Sequence, residues 1–389
     1  MKKSLILIFS FCAAALVGAC GETPEESSWT INPETGLRMD FLQPLPPLPE
    51  WENNPHSQHK EDLGRLLFGD ARLSGSGKAA CGTCHLSMTY FQSSTPLDLP
   101  DRSFPNLAPS LHRNAPSLMN LVYAPMFRWD GSHVDGSLSV EDNLYEMMVL
   151  PYAEANMNLS NLPSSEGERV DIEGAQLALH QKLTDEIPEY TELFEEAFGE
   201  NIQTMEPDAL WRLTGKALAQ FIRVAVSRNS PFDRWNAGED GAIKEAAIRG
   251  AVLFQGKAGC VFCHNGPLLS DFQFHNISSS PPNAEGKRPD EGRYLATGDE
   301  HDRGKFLTPM LRSSAMTSPY FHDGSEVSLQ QVIRRKVTEI AKLDPNHSPL
   351  ITAAEALTTD EIQDLVQFLI SLNGEPIPTE KLISFTESP

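Results

Sequence analysis

Apolar residues recur at three- and four-residue spacing in six stretches: Leu138–Leu150, Asp185–Phe198, Pro207–Ser227, Ala242–Phe254, Leu329–Ile340 and Thr359–Leu372. That period lays one apolar stripe along each segment and predicts amphipathic helices. Thr358-Thr359-Asp360-Glu361 opens the last of them with a capping pattern. Long loops separate the helices. One of these, Asn229–Glu239 (NSPFDRWNAGE), is turn-rich and reads as a hinge between two halves.

The first residues follow another pattern. Met1-Lys2-Lys3 is basic, and Ser4 to Val17 is apolar but too short to span a bilayer, as in an export signal. Leu16-Val17-Gly18-Ala19-Cys20 resembles a bacterial lipobox, so cleavage after residue 19 would leave Cys20 to carry diacylglycerol. An ordinary signal peptide cut nearby is the plainer alternative. Gly21 rather than Asp after Cys20 favours the outer membrane in a Gram-negative host, on its periplasmic side. Glu22 to Pro49, rich in Glu, Ser and Pro, reads as a flexible tether. The expected layout is a signal (1–19), a tether (20–50) and two domains (51–235 and 236–389).

Composition narrows the partners. The 389 residues allow about two or three domains. A mean hydropathy of −0.32 does not suit a membrane-embedded chain. The net charge of −22 argues against nucleic acid or an anionic lipid surface as partner, and would steer in a cationic protein. Solubility alone would also account for it.

Six cysteines are present. Cys12 leaves with the signal and Cys20 takes lipid, so the remaining four form two CxxC pairs, Cys81/Cys84 and Cys260/Cys263. Both pairs sit in an internal repeat. Residues 63–85 read LGRLLFGDARLSGSGKAACGTCH and residues 249–264 read RGAVLFQGKAGCVFCH. Each runs Gly, Leu-Phe, Lys-Ala, then CxxCH. Zinc ribbons pair CxxC motifs about 15–20 residues apart, far closer than these. Thioredoxin-type exchange requires neither a following His nor two copies. Covalent haem needs all three residues: two thiols for the vinyl groups and an adjacent imidazole for iron. Cys81 and Cys84 with His85, and Cys260 and Cys263 with His264, are therefore candidate haem anchors. Attachment outside the cytoplasm agrees with export.

From here the chain resembles the di-haem cytochrome c peroxidase family, to which MauG belongs, over roughly residues 58–372. The resemblance rests on LGRLLFGDARLS with CGTCH, RNAPSLMN with the later WDG, SRNSPFDRW, LFQGKAGCVFCHNGPLLSDFQFHNI, and DRGKFLTPMLRSSAMTSPYFHDGS. It implies an all-α fold of two cytochrome c-like domains whose haems face each other. The haem on His85 would meet peroxide, the haem on His264 would relay electrons, and Trp129 in FRWDG would couple them. The resemblance places the acid–base carboxylate at Glu154 in PYAEANM, across an insertion beginning at SHVDG, with Glu146 as the alternative. The family's preceding Gln is matched only by Glu141 or Asp142. It also implies Ca²⁺ between the domains, held by the Asn114 side chain and the Thr317 and Pro319 carbonyls. His322 and Asp323 would brace the second haem.

Two departures matter. The family's peroxidases place a distal His soon after the first CxxCH, yet residues 86–111 contain none. His112 falls late for that role. The first iron is therefore expected to be open. On the second haem, the position that is Met in peroxidases and Tyr in MauG falls on Lys336. Met310, Met316, His347 and His275 are the other candidates, and a solvated Arg334-Arg335-Lys336 face is the plainest reading. The expectation is an H₂O₂-dependent, MauG-like oxidoreductase that oxidises a partner protein through a high-valent di-haem state. The alternatives are a peroxidase fed by a small exported redox protein, and an electron-transfer or haem-sensing module without turnover.

Overall fold

The computed structural model describes residues 32, 35–85, 113–154, 157–160, 170–336, 344, 346–351, 356–375 and 377. Cys20 and His112 lie outside them. The described helices are α1 (Gln58–Gly69), α2 (Cys81–Cys84), α3 (Val140–Val149), α4 (Ile172–Gln181), α5 (Glu189–Phe198), α6 (Pro207–Ile222), α7 (Pro231–Asn236), α8 (Glu245–Gln255), α9 (Tyr294–Thr297), α10 (Leu329–Arg334) and α11 (Thr359–Ser371). Two short strands, β1 (Phe274–His275) and β2 (Phe306–Leu307), pair antiparallel, with Phe274 opposite Leu307. The fold is all-α. Among the described residues no helix is long and apolar enough to cross a membrane. The expected cap of α11 forms: Thr358 Oγ1 accepts from the Glu361 amide at 3.2 Å, and the Glu361 carboxylate accepts from the Thr358 amide at 2.7 Å.

Two apolar cores result. The first gathers α1, α3, α5 and α6 around Phe68, Tyr152, Tyr190, Trp211 and Phe221. The second gathers α7, α8 and α11 around Phe232, Phe254 and Phe368. The repeat seen in the sequence is a repeat of packing. A Cβ on Gly64 of α1 would stand 2.0 Å from the Ala217 carbonyl oxygen of α6, and one on Gly250 of α8 would stand 2.0 Å from the Asp364 carbonyl oxygen of α11. Only glycine lets the helix backbones approach this closely. One turn on, Phe68 meets Phe221 with ring centroids 5.2 Å apart, and Phe254 meets Phe368 at 5.0 Å. Each copy thus anchors one helix pair and delivers a CxxCH motif from its far end.

Two expectations are corrected. The C-terminal part of the expected tether, residues 35–50, is packed. Leu37 and Leu42 are buried in the second core and Leu48 packs on the first. Arg312 donates to the Gln43 carbonyl at 3.0 Å and Arg223 to the Pro49 carbonyl at 2.7 Å. A few well-spaced leucines outweigh a polar, Pro-rich composition. The expected hinge is helix α7, closed by a Ser230/Asp233 capping box. Phe232 fixes it to the second core, and the buried Arg312 guanidinium binds Asp233 at 2.8 Å. Along this stretch the buried members of the first core end at Ala225 and those of the second resume at Phe232.

Candidate functional site

A cavity of about 910 Å³ lies between the two cores, near the top of the range for cofactor pockets. Both motifs line it: Cys81, Cys84 and His85 from the first half, Cys260, Cys263 and His264 from the second. The first motif is helical in α2, with the His85 amide bonded to the Cys81 carbonyl at 2.9 Å. Burial pushes the Cys81 thiol up to about 12 and the Cys260 and Cys263 thiols up to about 11. Burial raises Cys84 as well. Thiols held protonated in this way are poor exchange nucleophiles, which counts against thioredoxin chemistry.

His264 is buried, and its Nδ1 donates to the Leu269 carbonyl at 2.9 Å. A carbonyl only accepts, so Nδ1 carries the proton and Nε2 keeps its lone pair. Burial, then the Lys336 charge, lower the imidazole to about 3, so it stays neutral. A backbone carbonyl fixing one nitrogen while the other faces a metal is the usual arrangement of a ligating histidine.

Trp129 joins the halves. Its indole Nε1 donates to the Asn114 carbonyl at 2.8 Å, and its own carbonyl accepts from the Leu307 amide of β2 at 2.8 Å. Glu154 also lines the cavity, and its Oε1 accepts from Arg128 at 2.7 Å. Glu146 lies instead in a separate pocket. Lys336 lines the cavity, two residues past the end of α10, and its charge acts on Cys260, Cys263 and His264. Burial lowers its pKa, against the pull of the two cysteines. Met310 and His275 share the cavity. His275 is already bonded to Asp271 at 2.8 Å. Met316 is exposed, and the His347 ring bonds to the Asp344 carbonyl at 2.7 Å.

Asn114, Thr317 and Pro319 converge on the cavity wall. Asn114 Nδ2 donates to the Pro319 carbonyl at 2.8 Å, while its buried Oδ1 has no partner among the described residues. His322 stacks on Phe306 with ring centroids 3.8 Å apart.

Several cavity residues went unread in the sequence. Arg113 binds Asp130 of its own half at 2.6 Å and Asp290 of the other at 2.7 Å. Burial alone would raise both carboxyls, but Arg113 holds them below the ordinary range. Arg128 and His133 belong to the same end as Glu154. Their one signal was position: Arg128 abuts Trp129, and His133 sits in the unmatched SHVDG stretch.

The family model for di-haem cytochrome c peroxidase matches residues 58–241. The cytochrome-c peroxidase IdrP1 of Pseudomonas sp. (strain SCT) is 31% identical, with 86% of each chain covered. The methylamine utilization protein MauG of Methylorubrum extorquens is 32% identical over 94% of this chain and 92% of its own. A solved MauG-like protein associated with microbial copper homeostasis superposes with a TM-score of 0.66 at 28% identity, covering 88% of this chain and 97% of that one. The chain therefore belongs to the di-haem cytochrome c peroxidase family, an oxidoreductase family whose name denotes two haem groups. The residues fit that requirement: the cavity is large and mostly apolar, each half brings a His beside two thiols, and His264, protonated on Nδ1, keeps the lone pair of its Nε2.

Proposed function

We propose that the chain consumes H₂O₂ and oxidises a partner protein, the MauG-like activity of its family. One observation carries this reading. The Glu154–Arg128 pair faces the cavity that holds His85, and the 26 residues that follow His85 (86–111) contain no histidine to close its iron. The two haems would be held by thioethers to Cys81, Cys84, Cys260 and Cys263 and by His85 and His264, and would supply redox-active iron. The chain's own groups do the rest. Glu154 takes a proton from one peroxide oxygen and returns it to the other. Arg128 fixes the carboxylate and adds positive charge where negative charge develops. Trp129, hydrogen-bonded to both halves, offers an oxidisable ring between them. Lys336, whose ammonium form is disfavoured by burial, would offer the second iron a nitrogen.

The competing reading, a peroxidase fed by a small exported redox protein, is supported by the similar identity to IdrP1. An electron-transfer or haem-sensing protein without turnover is the third reading. Electron paramagnetic resonance of the oxidised holoprotein separates the third from the others. One high-spin iron and one nitrogen-ligated low-spin iron are expected, whereas two low-spin irons would contradict an open His85 haem. Peroxide consumption driven by a reduced c-type cytochrome separates the first two. Slow turnover is expected, and rapid turnover would favour the peroxidase.

We further propose Ca²⁺ at Asn114, Thr317 and Pro319. The buried Asn114 Oδ1, without a partner among the described residues and beside the Pro319 carbonyl, supports it, because hard oxygen donors suit this ion. Chelation should loosen the domain junction and lower thermal stability; unchanged stability with no calcium in elemental analysis would refute the site. Export and a lipid anchor on Cys20, facing the periplasm, complete the proposal. Mass spectrometry of the mature N-terminus tests it.

A further inference from the structure

A second pocket, of about 480 Å³, lies beside the Glu154 end of the haem cavity. Its rim is exposed at Asp135, Gly136 and Ile172, and its wall includes Glu146 and Trp211. His133 lines this pocket and also the haem cavity. His133, itself exposed, thus reaches both outside water and the cavity that Glu154 and Arg128 line. Both His133 and Arg128 have left-handed backbones, with φ of 60° and 63°. Such a conformation is unusual for side chains of this size and recurs at functional sites.

We propose that this pocket is the port through which peroxide and protons reach the haem on His85, and that His133 relays protons between its water and Glu154. The proposal rests on the peroxide chemistry assigned above. H₂O₂ takes up two protons and two electrons to give two waters. The partner protein or donor supplies the electrons, and the protons come from water. Glu154 is tied to Arg128 and moves protons within the cavity, so a group with access to both sides must resupply it.

The groups around His133 suit a relay. Burial and then Arg128 lower its pKa, against the attraction of Glu154 and Asp130. At neutral pH the ring is therefore uncharged, with one N–H to donate and one lone pair to accept. In the pocket, burial raises the Glu146 carboxyl, opposed by its hydrogen bond to Trp211 and by Arg212. Asp135 is the other titratable group on that side. As pH falls through the lowered His133 value, the ring becomes imidazolium and can no longer accept, so the relay fails on the acid side.

Two variants of the holoprotein separate access from proton transfer. Gly136 has open space around a Cβ and no left-handed backbone, so Gly136→Trp should fold and obstruct the port. Nitric oxide binds ferric haem without needing a proton and probes access alone. The expected result is nitric oxide and peroxide association slowed about tenfold or more in Gly136→Trp. In His133→Gln, nitric oxide association should be unchanged, while steady-state turnover of peroxide to water falls about tenfold and the acid limb of its pH profile is gone. Unchanged nitric oxide association in Gly136→Trp, or a retained acid limb in His133→Gln, overturns the proposal. If wild type ignores peroxide while Gly136→Trp still slows nitric oxide, the port stands and the peroxide reading falls instead.

Discussion

Glu154 sits 2.7 Å from Arg128 and faces the cavity, whereas Glu146, eight residues earlier, faces another pocket. That separation makes a residue-scale prediction. Glu154→Gln keeps the shape and the Arg128 contact but loses the base, so the peroxide reaction should slow by about 10²–10⁴-fold with an unchanged resting haem spectrum. Glu146→Gln should leave far more of the rate. Equal effects of the two would remove Glu154 from its role. The CxxCH residues could be read from the sequence because thioether chemistry requires them to be contiguous. Arg128 and His133 could not. They gain meaning only when the fold brings residues 128, 133 and 154 to one end of one cavity.

At the scale of elements, the repeat shows what a sequence does and does not disclose. Matching glycines in LGRLLF and RGAVLF were visible, but not what each glycine touches. The structure supplies the reason: α1 lies against α6, and α8 against α11, at backbone contact. Gly64→Ala and Gly250→Ala should each destabilise their own half by about 1–3 kcal/mol, since the neighbour is a main-chain carbonyl that cannot swing away. Denaturant unfolding followed at each haem would show it, and wild-type midpoints would argue against the packing described. Periodicity located α3, α5, α6, α8 and α11 to within a few residues. It missed α7 and the packed segment 35–50, which are held by single apolar anchors, Phe232, Leu37 and Leu42, too sparse to make a periodic pattern. It also missed α1 and α4.

The whole molecule depends on how the two halves meet, and Arg113 is the most explicit link, bonding Asp130 on one side and Asp290 on the other. Burial acts to raise both carboxyls, yet Arg113 keeps them below their ordinary 3.8. A carboxyl depressed in the folded state adds stability above its unfolded pKa and loses it as pH falls through the folded value. The junction should therefore hold at neutral pH and loosen only in acid below about pH 4. Arg113→Met leaves two buried carboxylates without a cation. It should cost about 3–5 kcal/mol at pH 7 and much less in strong acid, where both are protonated. A loss that does not shrink in acid would place the effect elsewhere. The family-level architecture was legible because long motifs recur in order. The junction was not, because its partners are 17 and 177 positions apart.

In the proposed mechanism the His85 haem is open and meets peroxide unaided. The most direct test mixes the fully oxidised soluble protein, residues 21–389, with one equivalent of H₂O₂ and follows the Soret band by stopped flow. A fast change without prior reduction is expected, with a long-lived oxidised state that decays on meeting its protein substrate. An oxidised protein that ignores peroxide until one electron is added would contradict it, and would mean a hidden ligand on that iron and an ordinary peroxidase cycle.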